Sequence, residues 1–548
     1  MRLFSKRDSA ASSRQWCNSV STHPAASIIF NLKHRSTMAS PTPPSPNPPV
    51  NKPGAYDTSL RNRLAAVLPQ GHRFGIHHVS TPPTRTEPLC PAPPGERPDK
   101  TYRESHFLAV SIHPNAPTIS LKRASSGTDD IKQPPPRLPL LAFAIEVFIF
   151  TTAYQTILFV SKTDSTGYLH LLGLPKGAPS PIRQVCATFL AYLLDHRKRP
   201  NVQSIVNLFA RAQDQYLFPG SIRNAGKHVL DDWGLVRWWC RVLNPLMEGL
   251  SCEKWANTKG YLIVPGLEET ETRSFLPRTP SSLVNWTVGH PLEKISRYVR
   301  DFGRVPPRCL IPGYPDDPKS RFRDELDEEV SPRKHSIGAW KSVKTLDQFW
   351  EMMAFRQECS SGRLTGFIWL VFDSAASADV HPQPQPLPES SSAAKYKARR
   401  KKKKKLSGPI KPREPRIKTV LRNGLLDRPT LTAYYYWPSE GRGDRVVDEA
   451  EYKRIIELLL HLDFSTLDKA LGSSRRWIHE LGAPEVEVIG RATAPEKTEI
   501  HAAGITNLTG LVRRMNSKPS DAQLQPRVNV LGANLVRKKK KEESASSS

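Results

Sequence analysis

Hydrophobic residues recur along this chain at two spacings, one helical and one extended. Apolar residues three and four positions apart predict helices, whereas a short unbroken apolar run is typical of a buried strand. The helical spacing occurs at residues 59–68, 180–196, 204–209, 346–358, 448–471 and 474–481, and in a segment that contains Trp238 and Trp239. Extended runs occur at residues 102–112 and 366–372. The pattern therefore mixes helices and strands.

The longest apolar stretch covers residues 138–160. Its length is sufficient for a membrane-spanning helix. Glu146, Gln155 and several β-branched and aromatic residues favour instead two strands joined by a turn near residues 151–154. The second strand runs into the polar segment 161–167, which we predict to be a loop at the end of a strand. Loops in this position commonly carry the groups that bind ligands.

Other segments lack the apolar residues that a core requires. The chain has 548 residues, including 51 prolines. Residues 39–54 and 379–415 are rich in proline and polar residues, and the tail from residue 517 is polar, so disorder is predicted for all three. Residues 1–37 are rich in Arg, Lys and Ser, which is typical of a mitochondrial transit peptide. The alternative is that translation begins at Met38.

The charge balance points to an anionic partner. The formal net charge is +28, which favours nucleic acid, a polyanionic cofactor or an anionic membrane. Two basic runs, residues 399–405 and 537–541, are predicted to be nuclear localisation signals, or else tracts that bind DNA or histone chaperones non-specifically. Seven cysteines without a CxxC pair indicate reduced thiols and no zinc site. Motifs of P-loop NTPases, Rossmann folds, zinc proteases and serine hydrolases are absent.

Opposite charges are concentrated in the short segment 310–322. Three prolines and a glycine argue against a helix or a central strand there, so Asp316, Asp317, Lys319 and Arg321 are predicted to be displayed on a loop. Carboxylates and cations this close can shift one another's pKa and hold an anionic ligand. The alternative is a capped junction between loop and helix, with its charges in water.

Four blocks of sequence occur in an order and at spacings that match one known family. They are FVSKTDSTGY at 159–168, FARAQDQYLFP at 209–219, Lys227-His228 followed by RWW at 237–239, and PDDPKSRF at 315–322. The chain resembles the fungal histone acetyltransferases named for the regulation of Ty transposition. That family is similar in architecture to the CREB-binding-protein acetyltransferases.

The resemblance implies an α/β fold: one acetyltransferase domain with a mixed central β-sheet surrounded by helices. The domain would comprise residues 57–378 and 419–515, with the two strands of residues 138–160 in the middle of the sheet. Residues 1–56 would be a disordered extension, residues 379–418 an inserted disordered basic loop, and residues 516–548 a disordered basic tail.

The resemblance also implies a set of site residues. The positions that match contacts to acetyl-CoA are Phe159, Ser161, Lys162, Thr163, Asp164, Phe209, Arg211, His228 and Arg321. Tyr216 and Trp239 would wall the tunnel for the acceptor lysine, and Asp316 and Asp317 would be the catalytic acidic pair. Lys319 matches a lysine that such enzymes acetylate on themselves, and no metal is implied. On the residues alone, Phe159 and Phe209 are equally well explained as core residues, and His228 as a surface histidine.

The activity implied by the resemblance is acetyl transfer from acetyl-CoA to lysines of newly synthesised histone H3. The targets would be a core-domain lysine near the nucleosomal DNA entry point and lysines of the tail. The implied partners are histone H3–H4, the anti-silencing-function chaperone and a nucleosome-assembly-type chaperone. The implied setting is the nucleus, in replication-coupled nucleosome assembly and genome stability. The alternative is a non-catalytic basic scaffold that binds chromatin or nucleic acid.

Overall fold

The computed structural model describes residues 59–114, 138–374 and 424–493, except 176, 251–254, 304, 329–339, 362 and 484. These residues form eleven strands and eleven α-helices. The strands are β1 (Arg73–Ser80), β2 (Thr84–Thr86), β3 (Thr101–Ile112), β4 (Leu140–Thr151), β5 (Gln155–Ser165), β6 (Gln203–Arg211), β7 (Asn257–Ile263), β8 (Trp286–Val288), β9 (Thr365–Asp373), β10 (Arg445–Val446) and β11 (Val486–Ile489). The helices are α1 (Leu60–Val67), α2 (Pro181–His196), α3 (Asp232–Pro245), α4 (Glu269–Arg273), α5 (Pro280–Asn285), α6 (Leu292–Ile295), α7 (Arg297–Phe302), α8 (Pro318–Glu328), α9 (Leu346–Ser361), α10 (Glu449–Leu460) and α11 (Leu467–Leu481).

These strands form one mixed sheet. Its order is β10-β1-β3-β4-β5-β6-β9-β7-β8, with β11 beside β1 and β2 beside β3. The pairs β1–β10, β5–β6 and β7–β8 are parallel, and the other pairs are antiparallel. All residues of the central strand β4 are buried, because helices and loops cover both of its faces. The predicted α/β fold with a mixed central sheet is confirmed.

The long apolar stretch forms two strands, as its β-branched and polar residues predicted. β4 and β5 are joined by a tight turn in which the Thr152 N–H donates a 2.9 Å hydrogen bond to the Gln155 carbonyl. None of the helices in the described part of the chain has the length and apolar character to cross a membrane. The predicted loop over residues 161–167 is wrong for residues 161–165, because β5 continues beside β4 as far as Ser165.

Two helical predictions are also wrong. Residues 204–209 belong to strand β6, which lies between β5 and β9, because a short apolar run fits a buried strand as well as a helix. The helix predicted over residues 448–471 ends at Leu460, and a second helix begins at Leu467. The break places Phe464 in the core, where its ring centroid lies 5.0 Å from that of Phe218.

The segment after residue 423 completes the same sheet as the segment before residue 375. β10 and β11 both pair with β1. The buried Trp477 of α11 packs against the Phe107 ring and donates a 3.1 Å hydrogen bond to the Ile455 carbonyl of α10. The predicted disordered segments 1–56, 379–418 and 516–548 lie outside the described residues, and the domain boundaries remain a prediction.

Candidate active site

The parallel strands β5 and β6 separate near their carboxyl ends. They pair from Gln155 and Gln203 to Phe159 and Asn207, after which β5 continues beside β4 alone and β6 beside β9 alone. A β-bulge lies at the same level, because the β4–β5 register leaves Ser161 without a partner. Bulges near strand ends redirect side chains, and diverging parallel strands open a crevice suited to a ligand.

Two hydroxyl groups at the end of β5 are buried without a hydrogen-bond partner among the described residues. They are Ser161 Oγ and Thr163 Oγ1. Buried hydroxyl groups normally have a partner, so an unpaired one indicates a ligand or an ordered water. Both residues were predicted to contact acetyl-CoA, and these hydroxyls fit a ligand that carries amide and carbonyl groups.

Asp164 has a different setting from its neighbours on β5. Its Oδ2 accepts hydrogen bonds from the backbone N–H groups of Tyr216, Leu217 and Phe218, at 2.7, 2.9 and 3.3 Å. Its Oδ1 accepts a 2.9 Å bond from Lys227 Nζ. The carboxylate is therefore fully used inside the protein, where it fixes the loop that follows β6.

That loop carries Tyr216, one of the two predicted tunnel residues. The Tyr216 hydroxyl donates a hydrogen bond to the carbonyl of Arg211, and burial raises the pKa of Tyr216 to about 12. The other tunnel residue, Trp239, is buried on α3, and its ring meets that of Trp238 edge-on at 4.8 Å between centroids.

A residue that the sequence did not single out, Asp232, fixes α3 relative to two strands. Its carboxylate accepts a 3.1 Å hydrogen bond from Ala212 N–H at the end of β6 and another from Leu364 N–H before β9. Its position at the first turn of α3 was the available signal, because acidic residues at a helix start bind nearby N–H groups.

The charged residues of segment 310–322 are not all on a loop, contrary to prediction. Helix α8 begins at Pro318, so Lys319 and Arg321 belong to its first turn. Proline fits the first helical position because the N–H that it lacks would have no helical partner there. Asp317 caps this helix, with its Oδ1 accepting a 3.0 Å hydrogen bond from the Lys319 N–H.

Burial divides the four charges into two kinds. Asp317 and Lys319 are 0% and 1% exposed, and Lys319 Nζ forms an ion pair with Asp317 Oδ2. Asp316 and Arg321 are on the surface, with side chains 57% and 65% exposed. The prediction of charges in water therefore holds for Asp316 and Arg321, the outer pair, and is wrong for Asp317 and Lys319, the inner pair.

The inner pair lies in an environment that disfavours charge. Burial raises the pKa of Asp317 and lowers that of Lys319, and the attraction between the two groups partly opposes both shifts. Lys319 Nζ lies 4.9 Å from the centroid of the Tyr314 ring and 5.4 Å from that of Phe367. Burial therefore favours a neutral side chain on Lys319, whereas Asp317 and the two ring faces attract an ammonium.

Tyr314, which was not predicted as a site residue, connects the inner pair to β5. Its ring stacks on that of Phe159 with 4.4 Å between centroids and an interplanar angle of 5°. Its backbone N–H donates a 2.8 Å hydrogen bond to Ser320 Oγ. An aromatic residue between two closely spaced prolines was the only sequence signal for this role.

The structure thus brings together Phe159, Ser161, Lys162, Asp316, Asp317 and Lys319, with Phe209 half-buried 6.3 Å from Phe159 between ring centroids. Arg211 lines an open cleft with Arg363, Gln213 and Ile222. His228 is exposed, and no contact among the described residues joins it to the group. The described residues contain no cluster of three or more His, Cys, Asp or Glu that could hold a metal ion.

Comparison with known proteins identifies the class of enzyme to which this chain belongs. A family model for the histone acetyltransferase KAT11-type domain matches residues 60–205 and 198–480. The fold is therefore that of a histone acetyltransferase.

Individual relatives narrow this class. The chain is 36% identical to histone acetyltransferase rtt109 of Aspergillus flavus, over 88% of this chain and 99% of that protein. It is 35% identical to histone acetyltransferase rtt109 of Schizosaccharomyces pombe, over 42% of this chain and 56% of that protein. The crystal structure of Rtt109 from Aspergillus fumigatus aligns with a TM-score of 0.60 and 37% identity, over 80% of this chain and 100% of that one. The chain belongs to the Rtt109 family of fungal histone acetyltransferases.

Membership of this family confirms the resemblance seen in the sequence. It also confirms the prediction of an enzyme that acetylates histones, in preference to a non-catalytic scaffold. Acetyl-CoA is the co-substrate that this activity implies, and a histone acetyltransferase acts in connection with chromatin.

Proposed function

We propose that this enzyme acetylates lysines of newly synthesised histone H3, in complexes in which a chaperone holds H3–H4. The observation that carries the proposal is the buried Asp317–Lys319 pair beside the crevice between β5 and β6. A carboxylate whose pKa is raised by burial, next to a ligand crevice, suits the removal of a proton from an attacking amine.

The first chemical requirement is a neutral amine, because a free lysine side chain has a pKa of about 10.4. Burial raises the pKa of Asp317, which makes this carboxylate a better proton acceptor than one in water. In this proposal Asp317 accepts the proton of the substrate ammonium once its Lys319 partner is acetylated and carries no charge. Asp316, at the surface beside it, orients the incoming lysine.

The second requirement is to hold and orient the acyl donor, which acetyl-CoA supplies as a thioester. We assign Ser161 and Thr163 to hydrogen bonds with the donor, because their hydroxyls are buried and unpaired among the described residues. Phe159 and Phe209 form the apolar wall. The exposed Arg321 is placed to meet a phosphate. Lys162 already pairs with two carboxylates and is not included in this set.

Arg211, His228 and Asp164 contribute less directly in this proposal. Arg211 presents its guanidinium to an open cleft that also contains Arg363, which suits the outer phosphates of the donor. The exposed His228 would contact the donor only at its periphery. Asp164 acts by fixing the loop of Tyr216.

Tyr216 and Trp239 form the acceptor side of the site in this proposal. Two large aromatic side chains provide an apolar passage that disfavours an ammonium and so lowers the pKa of an entering lysine. The preferred H3 lysines would be a core-domain lysine near the DNA entry point and, secondarily, lysines of the tail.

The proposed partners follow from the chemistry of a histone substrate. Free H3–H4 is strongly basic, as is this chain with its net charge of +28, so an acidic chaperone is needed to bring the two together. The anti-silencing-function chaperone and a nucleosome-assembly-type chaperone are the proposed candidates. The proposed location is the nucleus, and the proposed process is replication-coupled nucleosome assembly, with a consequence for genome stability.

Radiolabelled acetyl transfer to H3–H4, with and without each chaperone, tests this proposal. We expect slow labelling of H3 alone and much faster labelling with a chaperone, and mass spectrometry should find most of the label on one core-domain lysine. Asp317→Asn serves as the inactive reference. Equal labelling with and without chaperones would refute the chaperone requirement, and label confined to H4 would refute the assignment to H3.

A further inference from the structure

The turn that carries the catalytic carboxylate has a backbone conformation that needs support. Asp316 has a φ angle of 58°, in the left-handed region that residues other than glycine seldom adopt. A residue persists in this region only where the surrounding structure holds it. Because Asp317 follows directly, the direction of its carboxylate depends on how firmly Asp316 is held.

Two cations of the described residues contact the Asp316 carboxylate. Arg321 Nη2 lies 3.6 Å from Oδ1, and Lys162 Nζ lies 3.2 Å from Oδ2. Arg321 is mostly exposed, so its contact is weakened by water and salt. Lys162 is on β5 and mostly buried. The contact from Lys162 therefore ties the Asp316 carboxylate to the sheet.

A buried carboxylate holds Lys162 from the other side. Glu146 is directly opposite Lys162 in the β4–β5 ladder, and its Oε2 lies 3.7 Å from Lys162 Nζ. The other oxygen, Oε1, accepts a 3.1 Å hydrogen bond from the Tyr452 hydroxyl of α10. Burial and the nearby Glu146 carboxylate raise the pKa of Tyr452 well above its ordinary value, so this hydroxyl remains a donor.

We propose that Tyr452, Glu146 and Lys162 are positioning residues that hold Asp316, and through it Asp317, in the geometry for acetyl transfer. The inference rests on the proposed role of Asp317 and gives Lys162 a function other than binding acetyl-CoA. Lys162 lies between two carboxylates, which together offset its positive charge and so weaken its attraction for a phosphate. Tyr452 lies on α10, so the docking of this C-terminal helix supports the catalytic turn.

Steady-state kinetics separate a positioning role from a binding role. Lys162→Met should lower kcat about tenfold while KM for acetyl-CoA stays within about twofold, because only the geometry of the turn is lost. Glu146→Gln should lower kcat less than Lys162→Met does, and Tyr452→Phe should lower it less than Glu146→Gln does. Lys453→Met, which removes a lysine from the exposed side of α10, is the matched control and should change neither parameter.

Double variants test whether Tyr452 and Glu146 act on Asp316 through Lys162. In the Lys162→Met background, Glu146→Gln should cause no further loss of kcat, because residues that act through a common partner are not additive. The double variant also removes the unpaired buried carboxylate that Lys162→Met leaves, so it provides a folded protein if the single variant unfolds. Thermal unfolding and histone H3 acetylation are measured for every variant.

Three results would each have a distinct meaning. A raised KM for acetyl-CoA with unchanged kcat in Lys162→Met would overturn the inference and return Lys162 to the cofactor site. Additive losses in the double variant would show that Glu146 does not act through Lys162. A wild-type enzyme that does not acetylate H3 would refute the proposed function, and the comparison among variants would then be repeated with the histone it does acetylate.

Discussion

Asp317→Asn removes the negative charge of the buried pair and keeps almost the same shape. The amide oxygen can still accept the Lys319 N–H, whose 3.0 Å bond to Oδ1 caps α8. The change removes the counter-ion of Lys319 and the base that we propose for the substrate proton. Loss of a general base lowers a rate by about 10²–10⁴-fold, and we expect H3 acetylation to fall by that amount.

The same change should also affect stability, by an amount that depends on the state of Lys319. Breaking a buried ion pair by removing one partner costs about 3–5 kcal/mol, because a buried charge is left unpaired. Burial already lowers the pKa of Lys319, so release of its proton recovers part of this cost. Adding Lys319→Gln removes the buried ammonium altogether. The double variant should therefore regain the melting temperature and remain inactive.

The assay compares the H3 acetylation rate and the melting temperature of five proteins: wild type, Asp317→Asn, Lys319→Arg, Lys319→Gln and the double variant. Lys319→Arg keeps the charge and cannot be acetylated in the same way, so its rate should be much lower than that of Lys319→Gln. Equal rates for these two variants would show that loss of charge is not the effect of acetylation. Full activity of Asp317→Asn would refute the catalytic role of the pair.

Three further predictions concern other parts of the molecule. Trp239→Phe should reduce acetyl transfer far more than acetyl-CoA binding measured by calorimetry, unless Trp239 acts only in the core. Burial lowers the pKa of His77 from 6.5 to about 4, so this residue alone should contribute a loss of about 2 kcal/mol of stability between pH 7 and pH 5. His77→Gln should remove that part of the pH dependence in thermal unfolding, whereas the other buried histidines with lowered pKa, such as His78 and His106, keep theirs. Neutralising residues 399–405 together with 537–541 should move a fluorescently tagged protein towards the cytoplasm, and unchanged nuclear fluorescence would contradict the signal.

Stability is expected to fall at low pH because the unfolded chain binds a proton at His77 at a higher pH than the folded protein does. The unfolded chain takes up a proton at His77 near pH 6.5, whereas the folded protein does so only near pH 4. The stability that neutral His77 contributes is therefore complete above pH 6.5 and is lost as the pH falls towards 4. A melting temperature that rises between pH 7 and pH 5 would contradict this reasoning.

The fold could be predicted from sequence where the pattern of side chains fits either a helix or a strand but not both. The turn between β4 and β5 was predicted because β-branched residues and Glu146 made a membrane helix less favourable. Residues 204–209 were assigned to the wrong element, because six residues are too few for periodicity to separate strand from helix. The break after Leu460 was missed, since it depends on the core position of Phe464, which is a tertiary contact.

The site residues were predicted by their place in familiar blocks, whereas their environments could not be predicted. Asp316 and Asp317 are adjacent and chemically identical, yet one is exposed and the other is fully buried. The difference arises from the left-handed turn at Asp316 and the helix that begins at Pro318. Tyr314 and Glu146 were missed as site residues because their roles depend on contacts with distant parts of the chain.

The burial of Asp317 and Lys319 costs stability, and it would also make the enzyme's activity depend on acetylation of Lys319. An exposed pair of this kind contributes about 0–1 kcal/mol, and acetylation of its lysine would change little. In a buried pair the desolvation of both charges is costly, and acetylation of Lys319 removes one of these charges while leaving the buried Asp317 carboxylate without its counter-ion. The same step frees the Asp317 carboxylate, which cannot accept a substrate proton while it is bound to an ammonium. Burial is therefore what would make the activity of the proposed base depend on the chemical state of a single lysine.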